Sequence, residues 1–230
     1  MSAPVPSSLA PGLALSPGAT LGEGVVIGAN VVLHDGVTIG DGCEIGDGAV
    51  LGRAPSFGPR SRAARTAIDP AAPTIVEDGA HLGSGAIVVA GARIRTGANV
   101  GFHVLVREGA TIGMGAVLGH CAAIGPRVVV GDRARIYNNA VLAMGTIVEE
   151  EVDVSANVVT TTRTWGRDDL EQQGVVLRRG CRIGANAVLL AGVEVGTGAV
   201  VGACSLVDAD VPEGTTVAGA PARPLRARPS

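Results

Sequence analysis

The stretch IGMGAVLGHCAAIGPRVVVGDRAR, residues 112–135, places Ile112, Leu118, Ile124 and Val130 one aliphatic residue apart every six. The same phase runs from position 9 to 51, from 76 to 154 and from 177 to 207, giving 28 hexads whose first residue is always Leu, Ile or Val. One such unit cannot bury its apolar side alone and must stack on its neighbours, so the period predicts a solenoid and not a globule. Position four of the hexad is Gly 16 times, Asn four times and Asp once. These residue types tolerate positive φ, which predicts a corner in every hexad. Position five is usually Ala, Val, Thr or Cys, small enough to sit where three walls converge.

Three hexads make a coil of 18 residues, and at about 4.8 Å per layer some nine coils give a rod roughly 45 Å long. The expected organisation is a disordered N-terminus over 1–8, a β-helix over 9–212 with inserted loops at 57–75 and 160–176, and a C-terminal extension over 213–230. The first loop carries Arg60, Arg62 and Arg65. The second holds the single Trp of the chain, Trp165, between Arg163 and Arg167. Loops of this length inside a compact solenoid are commonly functional.

Composition narrows the function classes. The net charge of −3 argues against nucleic acid or a membrane surface as the main partner, and all 18 basic residues are Arg. No run of 18 apolar residues occurs, and MSAPVPSS at the start lacks the basic and apolar regions of a signal peptide, so a soluble cytoplasmic protein is expected. Cys43, Cys121, Cys181 and Cys204 form no CxxC pair and read as reduced core or corner residues.

Positions 18 apart stack on one edge of the prism. One edge collects Gly85, His103, Cys121, Asn139 and Asn157 at position four, and Ser84, Phe102, His120, Asn138 and Ala156 at position three. Two of the four histidines and an Asn pair thus fall within three layers, and His103 and Cys121 stand where the repeat favours Gly or Asn. His34 and His81 lie on other registers. The second loop leaves just after the hexad of Asn157, which places it as a cover for this edge.

The hexads resemble those of the hexapeptide-repeat acyltransferases, whose fold is an all-β, single-stranded left-handed parallel β-helix. The general rule for parallel crossovers would favour the opposite hand. GAVLGHCAAIG, residues 115–125, is similar to the segment of bacterial nucleotide-aminosugar acetyltransferases that carries a proposed general-base histidine, which falls on His120. VVVGDRARIYNNAVLAMGTIVEEEV, residues 128–152, and VAGAPARPL, residues 217–225, are similar to acetyltransferases of nucleotide-linked 3-amino sugars. The resemblance implies transfer of acetyl from acetyl-CoA to a sugar amine in a homotrimer with sites at subunit interfaces, with no metal, no nucleic acid and no membrane span. It implies His120 and Asn138 as catalytic, and His103, Asn139, Thr162, Arg163 and Trp165 as substrate-binding. Thr162 stands where the family typically has an Asn that contacts substrate. Small Gly202 and Ala203 would let the pantetheine arm approach, and Arg179 or Arg223 would meet its phosphates. The competing classes are an O-acetyltransferase on a sugar or secondary-metabolite hydroxyl, a zinc protein resembling γ-type carbonic anhydrases, and a non-catalytic scaffold. The zinc protein needs three histidines across an interface, and only His103 and His120 share an edge.

Overall fold

A computed structural model describes residues 5–6, 9–56, 69, 72–162 and 174–225. The chain winds as a left-handed parallel β-helix of about ten turns. Three sheets of eleven, eleven and nine strands form its walls, here called A, C and B in that order. A wall strand is typically two residues, as in Val117–Leu118, where Val117 faces out and Leu118 faces in. The inward residues, among them Leu33, Ile45, Leu82, Ile112, Ile124 and Leu142, are buried, together with position-five residues such as Ala98 and Ala116. This column is the core.

The six-residue unit divides into a short strand and a corner for two steric reasons. At position four the backbone mostly turns left-handed, and not only with glycine: among the described residues ten non-glycine positions have positive φ, including Arg127, Arg133, Glu151, His103 and Cys121. Strain of about 1 kcal/mol or more at each is imposed by the stacked coil. His103 and Cys121 are therefore corner residues like the others, and their departure from Gly or Asn does not mark a site. At position two the coils come closest: a Cβ on Gly119 would lie 2.5 Å from the Asn138 nitrogen of the next coil.

Coils are joined by wall hydrogen bonds, such as Val117 N–H to Ala134 O at 2.9 Å, and by side chains at the corners. Asp41 accepts from the Glu23 N–H at 2.7 Å, Asp47 from Ala29 at 2.7 Å and Asp132 from Met114 at 2.8 Å, each reaching one coil back. Corner N–H groups that lack a wall partner thus find one on the next coil.

The ends differ from expectation. Leu9, the first residue of the hexad phase, is 67% exposed, and the core begins instead with Ala10 and Leu13; Leu15, Leu21 and Ile27 are only half-buried because the stack ends there. Val5–Pro6, expected to be disordered, pairs antiparallel with Ala14–Leu15. At the far end Thr216–Ala218 continues wall C on Val200–Val201 and then pairs antiparallel with Arg223–Pro224, so the extension is a cap on the coils.

The outward face of wall A is apolar from end to end. Its stacked positions are Ala14, Val32, Val50, Ile87, Leu105, Ala123, Val141, Val159, Val188 and Leu206. Wall C instead stacks Val26, Glu44, His81, Asn99, Val117, Arg135, Asp153, Arg182, Val200 and Thr216.

Both insertions leave from the A–B edge. The first lies between Val50–Arg53 and Thr74–Val76, the second between Val159–Thr160 and Val176–Leu177. The His/Asn corners belong to the C–A edge, so within one protomer the second insertion starts across wall A from them. The expected cover is displaced because one strand, Val159–Thr160, separates Asn157 from the loop and carries the chain across a whole wall.

Candidate active site

The C–A edge is built by the corners that follow each wall C strand. The Cys121 N–H donates to Phe102 O at 2.9 Å, Asn139 N–H to His120 O at 3.0 Å and Asn157 N–H to Asn138 O at 3.0 Å, which fixes the predicted vertical stacking. His103, His120, Asn138 and Asn139 are all exposed along it.

His120 is held on three sides. Its ring stacks on Phe102 with centroids 4.7 Å apart and planes 9° from parallel. Its Nδ1 accepts the Phe102 backbone N–H at 3.0 Å, and its own N–H donates to Asn138 Oδ1 at 2.9 Å. Gly101 and Gly83 make this possible, since a Cβ on them would lie 2.9 Å from His120 Nδ1 and 2.6 Å from the Phe102 ring. The tautomer follows from the hydrogen bonds: with Nδ1 accepting, the neutral imidazole carries its proton on Nε2. The free end of the ring is a donor. In this arrangement the lone pair that a general base requires is already engaged with the Phe102 N–H.

Asn138 spends its Oδ1 on His120, so its amide N–H groups stay available, and it lines a cavity of about 470 Å³ with Tyr137, Asp153, Ser155, Ala156 and Arg182. Phe102, Tyr137 and Arg182 were not expected at the site. Arg182 sits on an outward wall position next to Asp153, but the second insertion makes that step 29 residues instead of 18, so stacking in steps of 18 misses it.

The remaining sequence candidates disperse. Thr162 is at the foot of the second insertion on the A–B edge, near the buried Thr146–Thr160 hydroxyl pair at 2.9 Å. Arg163 and Trp165 lie outside the described residues. Gly202 and Ala203 are on the C–A edge four coils beyond His120, about 19 Å away. Gly202 meets a structural need there, because a Cβ on it would lie 2.8 Å from the Ala218 methyl of the cap. Arg223 is at the same end and pairs with Asp208 at 3.1 Å. Arg179 is on the B–C edge, its guanidinium 2.6 Å from Glu150. The proposed phosphate ligands therefore occupy two different edges, and each already has a carboxylate partner.

The B–C edge is where charge collects. Arg178 bridges Glu149 at 2.8 Å and Glu194 at 2.7 Å, which holds both carboxyls below the usual carboxylate range through its hydrogen bonds and raises its own pKa. Burial pushes the Glu77 carboxyl up, but hydrogen bonds from Arg93 and Thr96 outweigh it and leave it lowered. Among the described residues no group of three His, Cys, Asp or Glu side chains converges as a metal site would require.

By fold and repeat the protein is a hexapeptide-repeat β-solenoid. Residues 18–53 and 174–209 match the bacterial transferase hexapeptide (six repeats), and residues 127–162 match the hexapeptide repeat of succinyl-transferase. A 52-residue stretch, 23% of the chain, is 52% identical to 2,3,4,5-tetrahydropyridine-2,6-dicarboxylate N-acetyltransferase of Staphylococcus aureus (strain bovine RF122 / ET3-1). That match spans 22% of the relative's own length. Among solved structures, the UDP-N-acetylglucosamine O-acyltransferase of Moraxella catarrhalis RH4 superposes over 93% of this chain and 74% of its own, with a TM-score of 0.58 and 18% identity. The likeness is one of fold. A hexapeptide-repeat acetyltransferase of Vibrio cholerae aligns over 50% of this chain and 72% of its own at 27% identity, with a TM-score of 0.45.

Proposed function

We propose that the protein is an acyltransferase that moves acetyl from acetyl-CoA to the amine of a nucleotide-linked amino sugar. The observation that carries the acyl-transfer chemistry is the His120 corner: an exposed imidazole locked by the Phe102 ring, the Phe102 N–H and Asn138, with its Nε2 end open. The transferase repeats and the local identity to an N-acetyltransferase support it. The acceptor in that relative's name, a dicarboxylate, favours a second acceptor class, an amine borne on a carboxylate.

In this reaction the neutral amine attacks the thioester carbonyl carbon. The C–N bond forms, negative charge gathers on the carbonyl oxygen, and the C–S bond breaks as coenzyme A leaves as thiolate. The proton of the new ammonium ends on that thiolate. His120 Nε2–H donates to the developing oxyanion, and Asn138 orients His120 and offers its amide N–H groups to the acceptor. The pantetheine arm runs along the C–A edge towards Gly202, Ala203 and Arg223.

The aliphatic face of wall A supports a homotrimer with that wall turned to the three-fold axis. In such an arrangement the A–B edge of one copy lies against the C–A edge of the next. Thr162 then faces the C–A edge of the neighbouring copy across the interface. A charge in the middle of this face, Val141→Glu, is expected to reduce the sedimenting species from trimer to monomer, and an unchanged trimer would place the interface elsewhere.

The deciding experiment follows thiol release from acetyl-CoA with UDP-linked amino sugars and with amino dicarboxylates. Absence of turnover on every acceptor, with no heat of coenzyme A binding, would remove the acyl-transfer function.

A further inference from the structure

The cavity that Asn138 lines has a charge balance of its own. On wall C, Arg135 pairs with Asp153 at 3.2 Å, and Arg133 at the adjoining corner pairs with Glu151 at 3.0 Å. Arg182 follows Asp153 in the outward stack, lines the cavity and has no ion pair among the described residues. Two cations and two anions cancel, and Arg182 is the surplus charge. The cavity's other polar groups are mostly donors: the Asn138 amide, the Ser155 hydroxyl and the Tyr137 phenol, with Asp153 already engaged by Arg135. The Tyr137 side is 47% exposed and offers an aromatic face. About 470 Å³ suits a small molecule.

A surplus guanidinium among neutral donors recognises an oxyanion, and its planar fork matches carboxylate and phosphate oxygens alike. We infer that this cavity is the acceptor's oxyanion subsite: Arg182 pairs with a carboxylate or phosphate of the acceptor, while Tyr137 carries the ring or chain next to it. The inference rests on the acyl-transfer function, because Asn138 belongs both to the cavity and to the His120 corner. Arg182 stands three coils beyond His120, about 14 Å along the rod, and the cavity runs back from it to Asn138, one coil from the imidazole, so an acceptor anchored at Arg182 extends along the cavity towards His120. Both acceptor classes considered above carry such an anion, so the subsite accounts for what they share.

The test compares wild type, Arg182→Gln and Arg182→Lys with three acceptors: a UDP-linked amino sugar, an amino dicarboxylate and a free amino sugar with no anion. Arg182→Gln is expected to lower kcat/KM for the anionic acceptor by about 10- to 100-fold, mostly through KM. The free amino sugar and the KM for acetyl-CoA should stay within about twofold, and Arg182→Lys should recover part of the loss. A loss seen with the nucleotide sugar assigns the site to phosphate, and one seen with the dicarboxylate assigns it to carboxylate. Turnover that Arg182→Gln leaves unchanged, or lowers equally for charged and uncharged acceptors, overturns the subsite and leaves acyl transfer standing. Calorimetry with UDP and with glutarate, without acetyl-CoA, separates the two failures. Binding that disappears in Arg182→Gln, in a protein that turns over no acceptor, keeps the subsite and overturns the transfer chemistry. No turnover and no Arg182-dependent binding overturns both.

Discussion

The B–C and C–A edges share one backbone, one corner geometry and one 18-residue step, yet they hold opposite chemistry. On the B–C edge Arg95, Arg133, Arg178 and Arg179 each meet a carboxylate within 3.0 Å, so every donor fork there is already occupied. On the C–A edge the corners between Phe102 and Asn139 bear no formal charge apart from what histidine can acquire. The difference teaches that in a solenoid the structural edge is the one whose polar groups close on one another. The candidate site is the one that leaves donors open: His120 Nε2–H, the Asn138 amide and, on wall C at the far side of the cavity Asn138 lines, Arg182.

The largest break between the edges is expected in activity. His120→Ala should lower kcat by about 10² to 10³, the usual effect of deleting one oxyanion donor, while Arg179→Gln across the prism should stay within about threefold. His120→Gln offers an N–H near the same place and should recover part of the loss. Equal losses for Ala and Gln would return His120 to the role of base.

A smaller effect should appear in stability. Gly119→Ala on the C–A edge drives a Cβ into the Asn138 backbone and should cost about 2–3 kcal/mol, read as a lowered Tm. Gly198→Ala on the B–C edge meets open space at φ +63° and should cost about 1 kcal/mol. The smallest effect is acid stability. Glu149 and Glu194 have folded pKa values below their unfolded ones, so their contribution is complete above about pH 4.5 and is lost as pH falls through the folded values. Arg178→Gln should remove that advantage and raise the acid-unfolding midpoint by roughly half a pH unit, with little change at neutral pH.

The period in residues 112–135 was enough to read the walls, the corners and the vertical neighbours of His120, because a hexad leaves the chain no other way to bury its aliphatic residue. The location of the insertions was not legible by counting layers. Thr161 and Asn157 are close in sequence, but the strand between them moves the chain to another edge. The state of His120 was equally hidden, since its acceptor role depends on the backbone N–H of Phe102, which is 18 residues away and is brought there only by stacking. Arg179 looked suited to phosphate, and Arg182 was not singled out. The contact with Glu150, visible only once the coils are stacked, separates them.

The two ends of the rod are fastened unequally, and this gives the molecule a mechanical direction. At the C-terminal end the cap is tied down by Ala222 N–H to Leu206 O at 2.7 Å and Leu225 N–H to Thr216 O at 2.8 Å, while at the N-terminal end the inward residues of the first coil are half in water. Under tension in an optical trap the first layers should peel from the N-terminal side, each rung of 18 residues paying out about 60 Å of contour before the next takes the load. Release starting at the cap would show that the hairpin, and not the open coil, is the weaker anchor.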